Sequence, residues 1–126
     1  MNRKKILGWL GVVSIGLATI AVGPAQAVLN DCGSNAACMW KDTYFTAKRH
    51  VIGNAATWQN FTDFAFNDLA SSWANRSSAR DAEWYYDVNL QGDSGCMTAT
   101  HNVDIMGWRD NDEASSAIIY AGLYVC

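Results

Sequence analysis

The chain has 126 residues, with 12 acidic against 9 basic side chains and a formal net charge of −3. A basic nucleic-acid footprint is therefore absent, and cations or partners with basic surfaces fit better. The length is that of one small domain once a leader is removed, and such a domain is only modestly stabilised by its core.

Residues 1–27 read as a secretory signal. Arg3, Lys4 and Lys5 form a positive start, an apolar stretch runs from Ile6 to Val22, and Ala25-Gln26-Ala27 supplies a small-x-small cleavage pattern. Cleavage leaves residues 28–126 as a single domain, with six basic residues against 12 acidic ones and a net charge of −6. No second apolar stretch of spanning length follows, so no membrane contact is expected after cleavage. The mature protein is expected to be secreted and monomeric.

All four cysteines, Cys32, Cys38, Cys96 and Cys126, lie in the mature part. An even count in a small secreted chain implies disulfides. Of the three pairings, Cys32–Cys38 with Cys96–Cys126 is favoured. The first closes a short loop through Gly33, Ser34 and Asn35, and the second ties the end of the chain to the body. A four-thiolate metal site is disfavoured, because no C-x₂-C pair occurs.

Strand signals dominate the remainder: short aromatic or β-branched runs broken by Gly, Asn, Asp and Ser. The first half opens on Ala37-Cys38-Met39-Trp40, and Lys48–Ile52 is a further strand. Val51, Trp58, Phe61, Phe64 and Phe66 are expected to be core or turn-packing residues, and Phe61–Phe66 a short helical turn. Ser71–Ala74 is the next strand. The second half opens on Ala82-Glu83-Trp84-Tyr85-Tyr86. Its segment Gly92-Asp93-Ser94-Gly95-Cys96-Met97-Thr98 reads as a protruding loop. Ala117–Val125 closes the chain as a strand.

Asn67-Asp68-Leu69-Ala70-Ser71-Ser72 returns 44 positions later as Asn111-Asp112-Glu113-Ala114-Ser115-Ser116. Trp40 and Tyr85 are 45 apart, so the whole unit is repeated. Four strands per half and two halves imply an all-β sandwich of two Greek keys. Each hexad offers a carboxylate, an amide and two hydroxyls. These hard oxygens suit Ca²⁺ and suit Zn²⁺ poorly. Side-chain oxygens of Asp68, Asp112, Ser71 and Ser115 and backbone carbonyls of Leu69 and Glu113 are the candidate ligands. Extracellular modules of this sort bind Ca²⁺ with Kd on the order of 10⁻⁴–10⁻³ M. The bland alternative is that these groups only cap turns.

The hexads match the paired signature N/D-N/D-x-x-S/T-S, and in this the chain resembles the βγ-crystallin superfamily. The resemblance implies a βγ-crystallin-like sandwich in which ligands cross between the two motifs, with carbonyls near Lys41 and Tyr86 completing the shells. That superfamily also has a hairpin pattern of an aromatic, a bulky residue and a Gly. Tyr85, Leu90 and Gly92 fit it. Trp40 and Phe45 fit it too, but Ala47 stands where Gly is expected, so the first hairpin is expected to be distorted. The start Cys32, Cys38, Trp40 together with both hexads is similar to the secreted peptidase inhibitor family I36. That resemblance implies inhibition of a secreted protease, a metalloprotease in the best-known case. The 92–98 loop is then the candidate inhibitory segment, with Cys96 holding one end and Met97 entering an apolar pocket of the enzyme; the plainer alternative is an ordinary hairpin connection whose disulfide is structural.

The alternative function is a Ca²⁺-binding extracellular module for cell-wall carbohydrate, with Trp58, Trp73, Trp84, Trp108, Tyr120 and Tyr124 as a stacking face. Most of these rings are better explained as core. His50 and His101 are lone histidines without G-x-S-x-G or H-E-x-x-H, and no catalytic set is evident, so an enzyme is not expected.

Overall fold

A computed structural model describes residues 28–124; the expected signal segment and Cys126 lie outside the described residues. Eight strands form: β1 (Ala37–Asp42), β2 (Thr46–Gly53), β3 (Thr57–Asn60), β4 (Ser72–Asn75), β5 (Ala82–Asp87), β6 (Gln91–Met97), β7 (Asn102–Val103) and β8 (Ser116–Ile119). They make two four-stranded antiparallel sheets, ordered β2-β1-β4-β7 and β3-β8-β5-β6. Each half thus builds three strands of one sheet and gives its third strand, β3 or β7, to the other. Among the described residues no helix is long and apolar enough to cross a membrane.

The alternation of side chains along a strand explains where the core sits. Met39 and Trp73 in one sheet and Ala82, Trp84, Met97 and Ile119 in the other face inward. They pack with Phe61, Phe66 and Met106 into one buried cluster. Burying each large side chain stabilises by roughly 1.5–3 kcal/mol. The opposite face of β1 builds a second cluster. There Cys38, Trp40, Phe45 and Ala74 are covered by residues 28–36, including Cys32 and Ala36. Cys32–Cys38 is a disulfide with 5.9 Å between Cα atoms. A loop this short contributes about 2 kcal/mol through the unfolded chain. The Arg76 guanidinium further ties this segment by donating to the carbonyls of Asn30 and Cys32 at 3.2 and 2.7 Å.

Several sequence expectations need correction. Phe61 and Phe66 are buried, but Val51, Trp58 and Phe64 are among the exposed large hydrophobics. Val51 and Trp58 lie on strands whose outer faces lack a covering layer. The helical turn is a 3-10 turn over Phe61–Phe64. The last strand is only Ser116–Ile119, because its partners β3 and β5 end opposite Ile119. The expected loop over 92–98 is mostly strand. Gln91–Met97 pairs along β5, with Met97 opposite Ala82. The glycines that suggested protrusion have other roles. At Gly95 a Cβ would stand 2.4 Å from the Trp84 ring, so only Gly lets that ring pack against β6.

His50 on β2 is buried against Phe61, Phe64 and Phe66, with ring centroids 5.0, 4.9 and 5.2 Å away. Desolvation by burial, and then the nearby Lys48 charge, push its imidazole below the usual value of 6.5, only partly opposed by Gln59. A folded-state value below the unfolded one means the unfolded chain binds the extra proton. This histidine therefore withdraws stability as pH falls below 6.5 and withdraws none above it. The thermal midpoint is expected to drop between pH 7 and pH 5, and His50→Phe to flatten that drop. An unchanged slope in the variant would place the pH dependence elsewhere.

Candidate functional site

The two hexads meet at a pseudo-twofold junction between the sheets. The Asp68 amide donates to the Ala114 carbonyl at 3.0 Å, and the Asp112 amide donates to the Ala70 carbonyl at 2.9 Å. The Ser71 amide donates to the Trp40 carbonyl at 2.9 Å, and the Ser115 amide donates to the Tyr85 carbonyl at 2.8 Å. Asp68 and Asp112 both adopt left-handed backbone, φ 53° and 61°, a conformation that Asp tolerates better than most residues.

This backbone aims the side chains across the junction. The Ser115 hydroxyl donates to Asp68 Oδ1 at 2.9 Å, and the Ser71 hydroxyl donates to Asp112 Oδ1 at 3.4 Å. The first residue of each hexad steadies the neighbouring carboxylate: Asn67 donates to Asp68 Oδ2 at 2.5 Å and Asn111 to Asp112 Oδ2 at 2.8 Å. The candidate ligands Asp68 and Ser115 are therefore together, and so are Asp112 and Ser71. The Leu69 and Glu113 carbonyls accept no hydrogen bond among the described residues. Asn67 Oδ1 is buried and likewise lacks a partner there. No three His, Cys, Asp or Glu side chains converge among the described residues. Each junction offers one carboxylate, one hydroxyl and carbonyls, all of them oxygens of the type that Ca²⁺ takes.

The last serine of each hexad has a separate task that the sequence reading missed. Ser72 accepts the Phe45 amide at 3.1 Å and donates to the Asp42 carbonyl at 2.7 Å. Ser116 does the same with Leu90 and Asp87, at 3.0 and 2.6 Å. Both serines are fully buried under the hairpins that they clamp. The repeat itself carried this signal, since the motif specifies serine at both final positions. The clamped hairpins need left-handed backbone at matching places: Tyr44, Phe45 and Ala47 in the first, Asn89, Leu90 and Gly92 in the second. The first hairpin is thus folded like the second and not differently. Ala47 takes φ 61° where its counterpart is Gly92 at φ 78°.

Other candidates separate. Met97 is fully buried in the core, so it is not free to enter an enzyme pocket. Cys96 is disulfide-bonded; Cys126, its expected partner, lies outside the described residues. Trp73 and Trp84 are buried, while Trp58 and Trp108 are exposed on separate elements. Of the expected stacking face only Tyr120 and Tyr124 touch as rings, at 4.9 Å. His101 bonds its own loop at the Ala99 carbonyl, 2.9 Å away.

The sequence reading also missed a polar cluster on the outer face of the second sheet. Glu83 accepts the Ser94 hydroxyl at 2.6 Å, the Tyr85 hydroxyl at 2.8 Å and the Tyr120 hydroxyl. Burial pushes the Glu83 carboxyl up, but these three donors outweigh it and hold the group below its ordinary value. Burial and the Glu83 bond raise the Tyr120 phenol. The only signal for this cluster was alternation, because Glu83 and Tyr85 share one face of β5.

The profile of peptidase inhibitor family I36 matches residues 25–97. No curated protein sequence matches the chain. Among solved structures the fold is similar to a double mutant of a βγ-crystallin domain from Clostridium beijerinckii, with a TM-score of 0.58 and 20% identity over 70% of this chain and 99% of that one. It is also similar to a βγ-crystallin domain from Flavobacterium johnsoniae, with a TM-score of 0.57 and 22% identity over 68% and 93%. The N-terminal domain of protein S matches with a TM-score of 0.57 and 16% identity over 71% and 99%.

Left-handed backbone costs a residue bearing Cβ roughly 1–2 kcal/mol. Ala47→Gly is expected to raise unfolding stability by about 1 kcal/mol, measured by denaturant titration. No gain, or a loss, would mean that the alanine side chain makes a compensating contact.

Proposed function

The chain belongs to peptidase inhibitor family I36, and from that premise we propose that it is a secreted, non-enzymatic inhibitor of extracellular peptidases. Family membership carries the reading. The frame supports it: two interlocked Greek keys, a Cys32–Cys38 disulfide and clamped hairpins make a rigid body. Rigidity reduces the entropy lost on complex formation, which is what an inhibitor requires in order to occupy a cleft without being cut. The disulfide also suits an oxidising compartment outside the cell. Titrating the purified protein against a thermolysin-like metallopeptidase and a subtilisin-like serine peptidase is expected to abolish the activity of one of them stoichiometrically. Undiminished activity of both, with digestion of the protein, would reject the inhibitory reading.

A second reading is favoured by the crossed Asp–Ser pairs: the two junctions bind Ca²⁺ weakly and the ion stabilises the fold. Asp68 with Ser115 and Asp112 with Ser71 would hold it, with carbonyls such as those of Leu69 and Glu113. At a free Ca²⁺ concentration ten times Kd, linkage adds about 1.4 kcal/mol for each junction occupied. That corresponds to a rise in thermal midpoint of roughly 5–10 °C for a domain of this size. The double variant Asp68→Asn with Asp112→Asn is expected to lose that rise. A wild-type midpoint indifferent to millimolar Ca²⁺ would leave the hexads a purely structural role.

A further inference from the structure

The two halves differ at one equivalent place, beneath the turn that precedes each hexad. His50 stands opposite Met39 and Gly95 opposite Trp84, so the strand registers align His50 with Gly95 and Lys48 with Asp93. Counting back from the hexads aligns Phe64 with Trp108 and Phe66 with Asp110. In the first half the space between strand and turn is filled. Phe66 is fully buried, and the His50 ring packs on Phe64 and Phe66 at 4.9 and 5.2 Å. The Lys48 ammonium closes the top by donating to the Phe64 and Ala65 carbonyls at 3.2 and 2.7 Å.

In the second half these plugs are gone. The Trp84 ring lies against Gly95 and takes the place of His50, but Asp93 has no proton to give the turn and Asp110 replaces the buried phenyl ring. A cavity of about 650 Å³ is left between residues 92–94 and the turn over 107–110. That is within the size range of small-molecule sites. The turn is nonetheless held firmly. The Asp110 and Asn111 amides both donate to the Gly107 carbonyl at 2.9 Å, and the Tyr86 hydroxyl lies 2.9 Å from the Arg109 carbonyl and 2.7 Å from Asp110 Oδ1. The Cys96 disulfide belongs to the other face of the sheet. Cys96 stands opposite Glu83, which bonds Ser94 on the outer face, whereas Trp84 and Tyr86 point to the side where the cavity lies.

The Asp93 carboxylate, the Arg109 guanidinium and Asp110 Oδ2 form no hydrogen bond or ion pair among the described residues. Carboxylates only accept and a guanidinium only donates. A sugar hydroxyl does both, so a polyol satisfies all three together. Trp108 at the rim is 88% exposed and makes no ring contact among the described residues. Its flat indole offers a large apolar face to the C–H face of a pyranose ring. Two carboxylates against one guanidinium disfavour an acidic sugar. We propose that this cleft binds a short neutral oligosaccharide, with Trp108 as the stacking platform and Asp93, Arg109 and Asp110 as the hydroxyl partners. Such a site would retain a secreted protein on a polysaccharide surface. The turn lies outside residues 25–97, on which the inhibitory reading stands, so the proposal does not depend on that reading.

The test titrates the purified protein with chitotetraose, cellotetraose and tetragalacturonate, followed by calorimetry and by tryptophan fluorescence. At least one of the two neutral sugars is expected to bind saturably and shift the fluorescence, and the acidic sugar to bind more weakly. Trp108→Ala is expected to lower affinity about tenfold. Trp58→Ala, which removes an exposed tryptophan on β3, is expected to leave it unchanged. Asp93→Lys supplies the counterpart of Lys48 and is expected to close the cleft and abolish binding. Both cleft side chains are exposed, so the thermal midpoints of these variants are expected to stay at the wild-type value. Binding that survives Trp108→Ala overturns the site, and a preference for tetragalacturonate overturns the sugar class. No sugar binding at millimolar concentration overturns the proposal outright; if Trp108→Ala then weakens peptidase inhibition, the cleft belongs to the peptidase contact instead.

Discussion

The exchange of third strands holds the molecule together. β3 belongs in sequence to the first half and pairs with β8 of the second; β7 belongs to the second half and pairs with β4 of the first. Neither sheet is complete without the other half, so neither half has a closed core alone. The chain crosses between sheets at the two hexads, and there the constraint is sharpest. Each hexad must turn through a left-handed Asp, receive a backbone bond from its twin, bury an alanine and clamp a hairpin with its last serine. The second, fourth and sixth positions are thus accounted for by folding before any ligand is considered.

The duplication explains why so much was legible in the sequence. Six residues repeated at a fixed spacing disclosed two halves, and the aromatic strand openings disclosed β1 and β5. Side chains of one hexad meet those of the other, Asp68 with Ser115 and Asp112 with Ser71. Three of the failures share one cause: local composition was opposed by tertiary contact. Gly92-Asp93-Ser94-Gly95 has the composition of a loop, yet β5 offers a full ladder and Trp84 requires the absence of a side chain at Gly95. Met97, read as exposed bait, is the apolar residue that returns the strand to the core. Ala47 looked incompatible with a folded hairpin, yet the Ser72 clamp and the buried Phe45 impose the left-handed backbone regardless. No local rule of sequence reports that kind of coercion.

The two halves are related by sequence and unequal in surface. Trp40 corresponds to Tyr85, Cys38 to Glu83 and Phe45 to Leu90. In the first half these positions lie beneath residues 28–36 and form a second apolar cluster fastened by a disulfide. In the second half the same face carries a carboxylate bonded by three hydroxyls. Apolar cover and polar network are alternative solutions to one problem, because the outer face of a sheet must be either buried or satisfied by hydrogen bonds. The first solution contributes stability by burying Cys38, Trp40 and Phe45. The second retains polar groups at the surface. Duplication supplied two equivalent faces; covering one secured the fold, and that left the other free to differ.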